Sequence, residues 1–160
     1  MASMRVADYL AAFIYDELKV KHVFFVTGAG IMHLTDGVAK HPHLKGFHPH
    51  HEQSAAMAMD AYSRATDNFA VGYFTTGPGG TNAVTGLAGA WQDSVPCLFV
   101  SGQTKRGTIS GDSRARGLRQ FGVQELNILP IVQSCCKYAV QLNDPTRIRY
   151  ELEKACAVAK

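Results

Sequence analysis

Residues 47–53, Phe-His-Pro-His-His-Glu-Gln, place three histidines and a carboxylate within seven positions, with His41 and His43 just upstream. Two chemistries are open to such a stretch. Clustered imidazoles suggest a metal site, whereas a lone glutamate leading into Gln53-Ser-Ala-Ala-Met-Ala-Met suggests proton transfer. A zinc site needs its ligands on one face, usually completed by cysteine or carboxylate. On a strand, His48 and His50 share a face while His51 points away, and the usual completing residues are missing nearby. No metal ligands are therefore predicted, and a histidine-rich metal-binding or assembly module stands as the alternative reading.

Glu52 has a plain reading, that of a first-turn glutamate complementing a helix dipole. Its neighbours favour a different one. A carboxylate facing glycine, alanine and methionine is poorly solvated, so its pKa is expected to rise. It could then hold or share a proton near neutral pH, which is what a proton relay requires. The small residues after it would let a flat ring come close.

Two glycine-rich segments offer walls for such a ligand. Gly28-Ala29-Gly30 follows an apolar run and precedes a helical pattern, but His33 stands where a dinucleotide fingerprint needs its third glycine. Taken alone it reads as a tight turn. Thr-Thr-Gly-Pro-Gly-Gly-Thr-Asn, residues 75–82, lacks the lysine of a nucleotide-binding P-loop. It remains a possible anion-binding turn, and its scarcity of side chains would suit a large flat ligand.

The elements that must position these groups follow from periodicity. Val6, Tyr9, Leu10, Phe13, Ile14 and Leu18 recur at helical spacing, predicting a helix over 6–18. Short apolar runs at 22–30, 44–49, 68–82 (a strand running into glycines) and 95–103 predict strands, and helical patterns at 31–41, 52–65 and 81–93 alternate with them. Residues 104–124 read as a long Gly/Ser/Arg-rich loop. A short helix and a strand around Lys137–Gln141 follow, then a last helix capped by Asp144 with Pro145 at its first position. Continuously apolar strands alternating with helices predict an α/β domain: a doubly wound, mostly parallel sheet with helices on both faces, a three-layer sandwich. Ligands of such sheets lie at the carboxyl ends of the strands. Here those ends are Thr27–Gly30, His48–Glu52, Thr75–Asn82 and Ser101–Gln103.

The totals set outer bounds. The chain has 160 residues, 46% hydrophobic and 18% charged, with a net charge of +3, and reads as one domain over 1–160. No basic stripe interleaved with aromatics marks a nucleic-acid partner. No apolar run approaches the roughly 20 residues of a membrane helix. Met1–Lys21 lacks the pattern of an export signal, so a cytoplasmic location is expected. Cys97, Cys135, Cys136 and Cys156 form no CxxC pair and read as reduced, structural thiols.

Together, HHEQSAAMAMDAYSRAT, TTGPGGTNAVTGLAGAWQDSVPCLFVSGQ and FGVQE resemble the N-terminal pyrimidine-binding domain of thiamine diphosphate enzymes, in particular acetolactate (acetohydroxyacid) synthases. The resemblance runs from about Val6 to the end. It implies that Glu52 hydrogen-bonds N1′ of the aminopyrimidine and favours the imino tautomer, whose 4′-nitrogen takes the thiazolium C2 proton. Gly28 and Ala29 would lie near the reactive centre. Thr75, Pro78 and Asn82 would line the pyrimidine pocket with Gln103 close by, and Gln124 would face the cofactor as a second catalytic residue. His50 stands where the family usually has a basic residue.

The resemblance further implies a 2-oxo acid substrate, decarboxylated or ligated, a homodimer or higher oligomer, and FAD in some parent enzymes. The diphosphate and its Mg²⁺ would be held by a second, C-terminal domain carrying Gly-Asp-Gly and a later asparagine. Gly111-Asp112-Ser113 does not match that motif. The chain is therefore expected to be half of an active site, inactive alone. It would be a fragment of a larger enzyme or one subunit of a split decarboxylase, with apolar surface left for the missing half.

Overall fold

A computed structural model describes residues 4–109 and 117–160. Four strands, β1 (His22–Phe25), β2 (Lys45–Phe47), β3 (Ala70–Phe74) and β4 (Cys97–Ser101), form one sheet in the order β2-β1-β3-β4. Every pairing is parallel, with Val23 opposite both Gly46 and Val71, and Gly72 opposite Phe99. The chain winds from β1 to β2 on one side and then to β3 and β4 on the other. The winding direction thus reverses between β1 and β3, the topological switch point of a doubly wound fold.

Helices cover both faces because the central strands β1 and β3 are apolar on both. Val23, Phe25, Val71 and Tyr73 face a core completed by Leu10, Phe13 and Ile14 of α1 (Val6–Asp16), Val38 of α2 (Met32–Lys40) and Leu152 and Cys156 of α7 (Ile148–Ala159). Phe24, Ala70 and Phe74 face the other way, onto Ala55, Ala56 and Met59 of α3 (Glu52–Thr66). Burying a side chain such as Ile14 contributes about 1.5–3 kcal/mol. These are the expected three layers. The cap predicted for the last helix is also present: Asp144 Oδ1 accepts from the Thr146 N–H at 2.9 Å, and Pro145 opens a 3₁₀ turn leading into α7.

The small residues of α3 serve packing. Met59 sits directly over Gly72 of β3, and Ala56 fills the space above Gly86 of α5 (Val84–Gln92). A side chain at Gly72 would push α3 off the sheet, and one at Gly86 would push α3 and α5 apart. Ser63 anchors the far end of the helix, its hydroxyl 2.6 Å from the Asn68 carbonyl and 3.1 Å from that of Pro96.

Three expectations change. The helix predicted over 81–93 divides at Ala83 into α4 (Pro78–Asn82) and α5. Part of the loop predicted over 104–124, including Gly111-Asp112-Ser113, lies outside the described residues. After the short helix α6 (Leu129–Val132), no strand forms around Lys137–Gln141. That segment is separated from β4 by a groove of about 600 Å³ lined by Leu98, Val100, Val132, Val140, Leu142 and Leu152. A strand exists through its ladder partner, and among the described residues this segment pairs with none of the four strands. It is tethered instead to α7, where the Glu151 carboxylate accepts from the Tyr138 hydroxyl and the Lys154 ammonium lies 4.4 Å from the Tyr138 ring centre.

The four cysteines are free, with Cys135 and Cys156 buried. Burial pushes the Cys97 thiol up to about 12 and that of Cys156 up to about 11. At pH 8 Cys97 then carries about a thousandfold less thiolate than an ordinary thiol. Iodoacetamide should accordingly label it far more slowly in the native chain than in urea, as mass spectrometry would record. Tyr73 supplies a second test, because its hydroxyl is buried without a hydrogen-bond partner among the described residues. Tyr73→Phe should stabilise the fold by about 1 kcal/mol, read as a higher urea midpoint at unchanged slope.

Candidate functional site

The carboxyl ends of the four strands meet on one edge, and glycines decide how closely. The Gly30 N–H after β1 donates to Thr75 Oγ1 after β3 at 3.1 Å. A Cβ on Gly28 would lie 2.5 Å from Thr75 Cβ, and one on Gly30 would collide with the Thr76 hydroxyl. The two loops at the switch point therefore touch with glycine backbone on one side and the Thr75 and Thr76 side chains on the other. Any larger residue at 28 or 30 would open the seam.

Glu52 is the first residue of α3 and is half-buried at this seam. Its carboxylate reaches across to α4, where Asn82 Nδ2 donates to Oε2 at 3.0 Å. Oε1 has no hydrogen bond among the described residues. It faces Gly79, where an added Cβ would sit 3.5 Å away. Asn82 can reach Glu52 because α4 starts abruptly after Gly77, whose φ of 62° and ψ of −112° turn the chain sharply into Pro78. That φ is sterically open to glycine and costly for other residues.

The candidate residues divide by location. Glu52, Asn82, Thr75, Gly28 and Pro78 share one open ledge, with Pro78, Asn82 and Ala29 exposed along it. Gln124 sits above the turn: it adopts a φ of 55°, its side chain is exposed, and its backbone carbonyl packs onto Gly77. Gln103 is engaged elsewhere. Its Nε2 donates to the Leu126 carbonyl at 2.9 Å, and its Oε1 accepts from the Thr104 N–H at 2.9 Å. Sequence reasoning missed Glu125, whose carboxylate accepts the N–H groups of Phe121 and Gly122 at 3.2 and 3.1 Å. The only local signal was an acid three residues after a glycine, a common pattern.

The histidines take other roles. His51 caps α3, its Nδ1 accepting from the Gln53 N–H at 3.1 Å. His48 stands edge-on to Phe25 at 4.4 Å, and His41 and His43 pack against the Tyr15 ring at 5.2 and 4.9 Å. Among the described residues, no three His, Cys, Asp or Glu side chains are grouped to hold a metal ion.

Comparison with known proteins decides the family. The model of the N-terminal TPP-binding domain of thiamine pyrophosphate enzymes matches residues 4–131. This chain belongs to the thiamine pyrophosphate enzymes. Within them it is similar to acetolactate synthases: 37% identical over 145 residues to the large subunit of Cyanidium caldarium, covering 89% of this chain and 23% of that protein. The mitochondrial acetolactate synthase of Schizosaccharomyces pombe is 34% identical over 140 residues, covering 88% of this chain and 20% of that protein. The large subunit of Buchnera aphidicola is 35% identical over 145 residues, covering 84% and 25%. The thiamine pyrophosphate enzyme domain described here thus spans a quarter or less of these relatives.

Gly77 provides a test of the ledge. Gly77→Ala should cost about 2–4 kcal/mol, combining the left-handed φ with the crowding by the Gln124 carbonyl. Gly89 of α5, with open space around it, is the control. Gly89→Ala should stabilise by about 0.5–1 kcal/mol. Thermal and urea unfolding would compare the two, and equal effects would contradict the packing described.

Proposed function

We propose that this domain binds the pyrimidine half of thiamine diphosphate for an acetolactate synthase-like enzyme that decarboxylates or ligates 2-oxo acids, with Glu52 moving the proton at N1′. The observation that carries the reading is the Glu52–Asn82 hydrogen bond at the switch point. Asn82 fixes the carboxylate by donating to Oε2, which leaves Oε1 directed along the ledge. A protonated Oε1 donates to a ring nitrogen, and an ionised one accepts from it. That exchange is the work of a general acid–base at a single atom.

The residues fit an aminopyrimidine ring. Gly79 keeps the space beside Oε1 clear, and Gly28, Ala29 and Pro78 give a wall low enough for a flat heterocycle. When bound, thiamine diphosphate supplies the nucleophilic carbon that attacks the 2-oxo acid. The chain's part is to hold the ring, pair with N1′ and deliver or remove the proton there.

The ledge is open and Glu52 only half-buried, so a second surface is needed to exclude water from the carboxylate. We assign that surface, with the diphosphate and Mg²⁺ ligands, to a further domain within an oligomeric enzyme. The much greater length of the acetolactate synthases supports a longer polypeptide. The 160 residues alone are then catalytically silent.

The test is Glu52→Gln in the assembled enzyme. Glutamine keeps the bond with Asn82 in shape but cannot transfer the proton. Exchange of the cofactor's C2 hydrogen in D₂O, followed by NMR after acid quench, should slow by about 10²–10⁴-fold. Exchange at the wild-type rate would sink the assignment.

A further inference from the structure

Gln124 reaches the site on a segment that has no regular secondary structure, in a left-handed conformation unusual for glutamine. Something must hold it there. We propose that Gln103 and Glu125 are positioning residues, forming a clasp that seats residues 122–126 on the Gly77 turn and so presents Gln124 to the cofactor. This rests on the pyrimidine-site reading above.

The clasp has two ends. At one, Gln103, two residues beyond β4, spans with its side-chain amide from the Thr104 N–H to the Leu126 carbonyl. The rigid end of the sheet is thereby tied to the segment just past Gln124. At the other end, Glu125 folds back over its own turn. Its carboxylate accepts from the N–H groups of Phe121 and Gly122, and its own N–H donates to the Gly122 carbonyl at 3.2 Å. Gln120 Nε2 reaches the same carbonyl at 2.9 Å. The two bonds to the Glu125 carboxylate are charge-assisted and so stronger than neutral ones.

Between the two ends the segment lies flat on the glycine turn. The Gln124 carbonyl occupies the space a side chain at Gly77 would need. Ile128 Cδ1 lies 2.6 Å from the position of a Cβ on Gly80, and buried Gly122 abuts the Thr104 hydroxyl. Seating the segment therefore also braces α4, which carries Asn82 to Glu52. Gln103 acts on the cofactor only through these contacts, since its amide is engaged at both ends.

Amide hydrogen exchange by NMR on the 160-residue chain tests the geometry. Gln103→Leu should speed exchange at Phe121, Gly122 and Glu125 by about tenfold or more, while Val71 and Tyr73 of β3 keep their protection. Glu125→Ala should do the same, and Glu125→Gln, which still offers an acceptor, should largely restore protection. Unchanged exchange at Phe121 and Gly122 in both Gln103→Leu and Glu125→Ala overturns the clasp. If Gln103→Leu does not fold, the two Glu125 variants still decide.

Thiamine diphosphate affinity in the assembled enzyme tests the consequence. Gln103→Leu and Gln124→Ala should each weaken it, and the double variant should be no weaker than Gln124→Ala alone. Additive losses place Gln103 on the cofactor itself and overturn the assignment. Wild-type affinity in Gln124→Ala overturns it too, while the Glu52→Gln exchange experiment judges the site reading separately.

Discussion

The constraint on which the rest depends is the close approach of the glycine backbone after β1 to the threonine side chains after β3. The Gly30 N–H on the Thr75 hydroxyl closes the switch point, and the glycines at 28 and 30 are what allow it. In a parallel sheet this is where the strand order divides and a crevice opens. Here the two loops are joined by that hydrogen bond. Groups placed along the seam are consequently within a few ångströms of one another, although they come from α3, α4 and the loop beyond β1. A carboxylate and an amide thirty residues apart in sequence share a hydrogen bond for this reason.

α3 links the site to the core. Its first residue is Glu52, and from Ala55 to Ser63 it presents a buried stripe to β3 and α5. The position of the carboxylate is thus set by how deeply Met59 settles over Gly72 and how closely Ala56 meets Gly86. His51 pins the start of the helix from outside the core. A substitution at Met59, two turns along, or at Gly86 of the facing α5 moves the same rigid body as one at the cap. In this respect the composition of the helix is a positional device, and its shortage of bulky side chains is explained by neighbours on the sheet side.

Much of this could be read in the sequence, and the failures have physical causes. Strands that are apolar on both faces, such as Ala70–Phe74, announced a covered parallel sheet. The Asp144-Pro145 cap is a local signal and was found where expected. The strand expected at Lys137–Gln141 was not, because pairing depends on a neighbour that no local pattern encodes. The break at Ala83 escaped notice since Thr81 to Asp93 keeps helical spacing across it. The small residues after Glu52 suggested room for a ring, whereas Ala55 and Ala56 are buried against protein. Gln103 was placed at the strand end correctly, but the partner of its amide lies 23 residues away. Side-chain direction of that kind becomes visible only in three dimensions.

The groove beside β4 carries a further consequence. Sheet-forming proteins guard their outermost strands with charge, proline or bulges. Cys-Leu-Phe-Val-Ser has none of these along its length, and the wall facing it is apolar as well. Such an edge is a template for any extended chain that meets it, including one from another molecule in the same state. That rim is the place on the described surface where edge-to-edge pairing between copies would start. The chain's modest net charge of +3 offers little electrostatic repulsion against it.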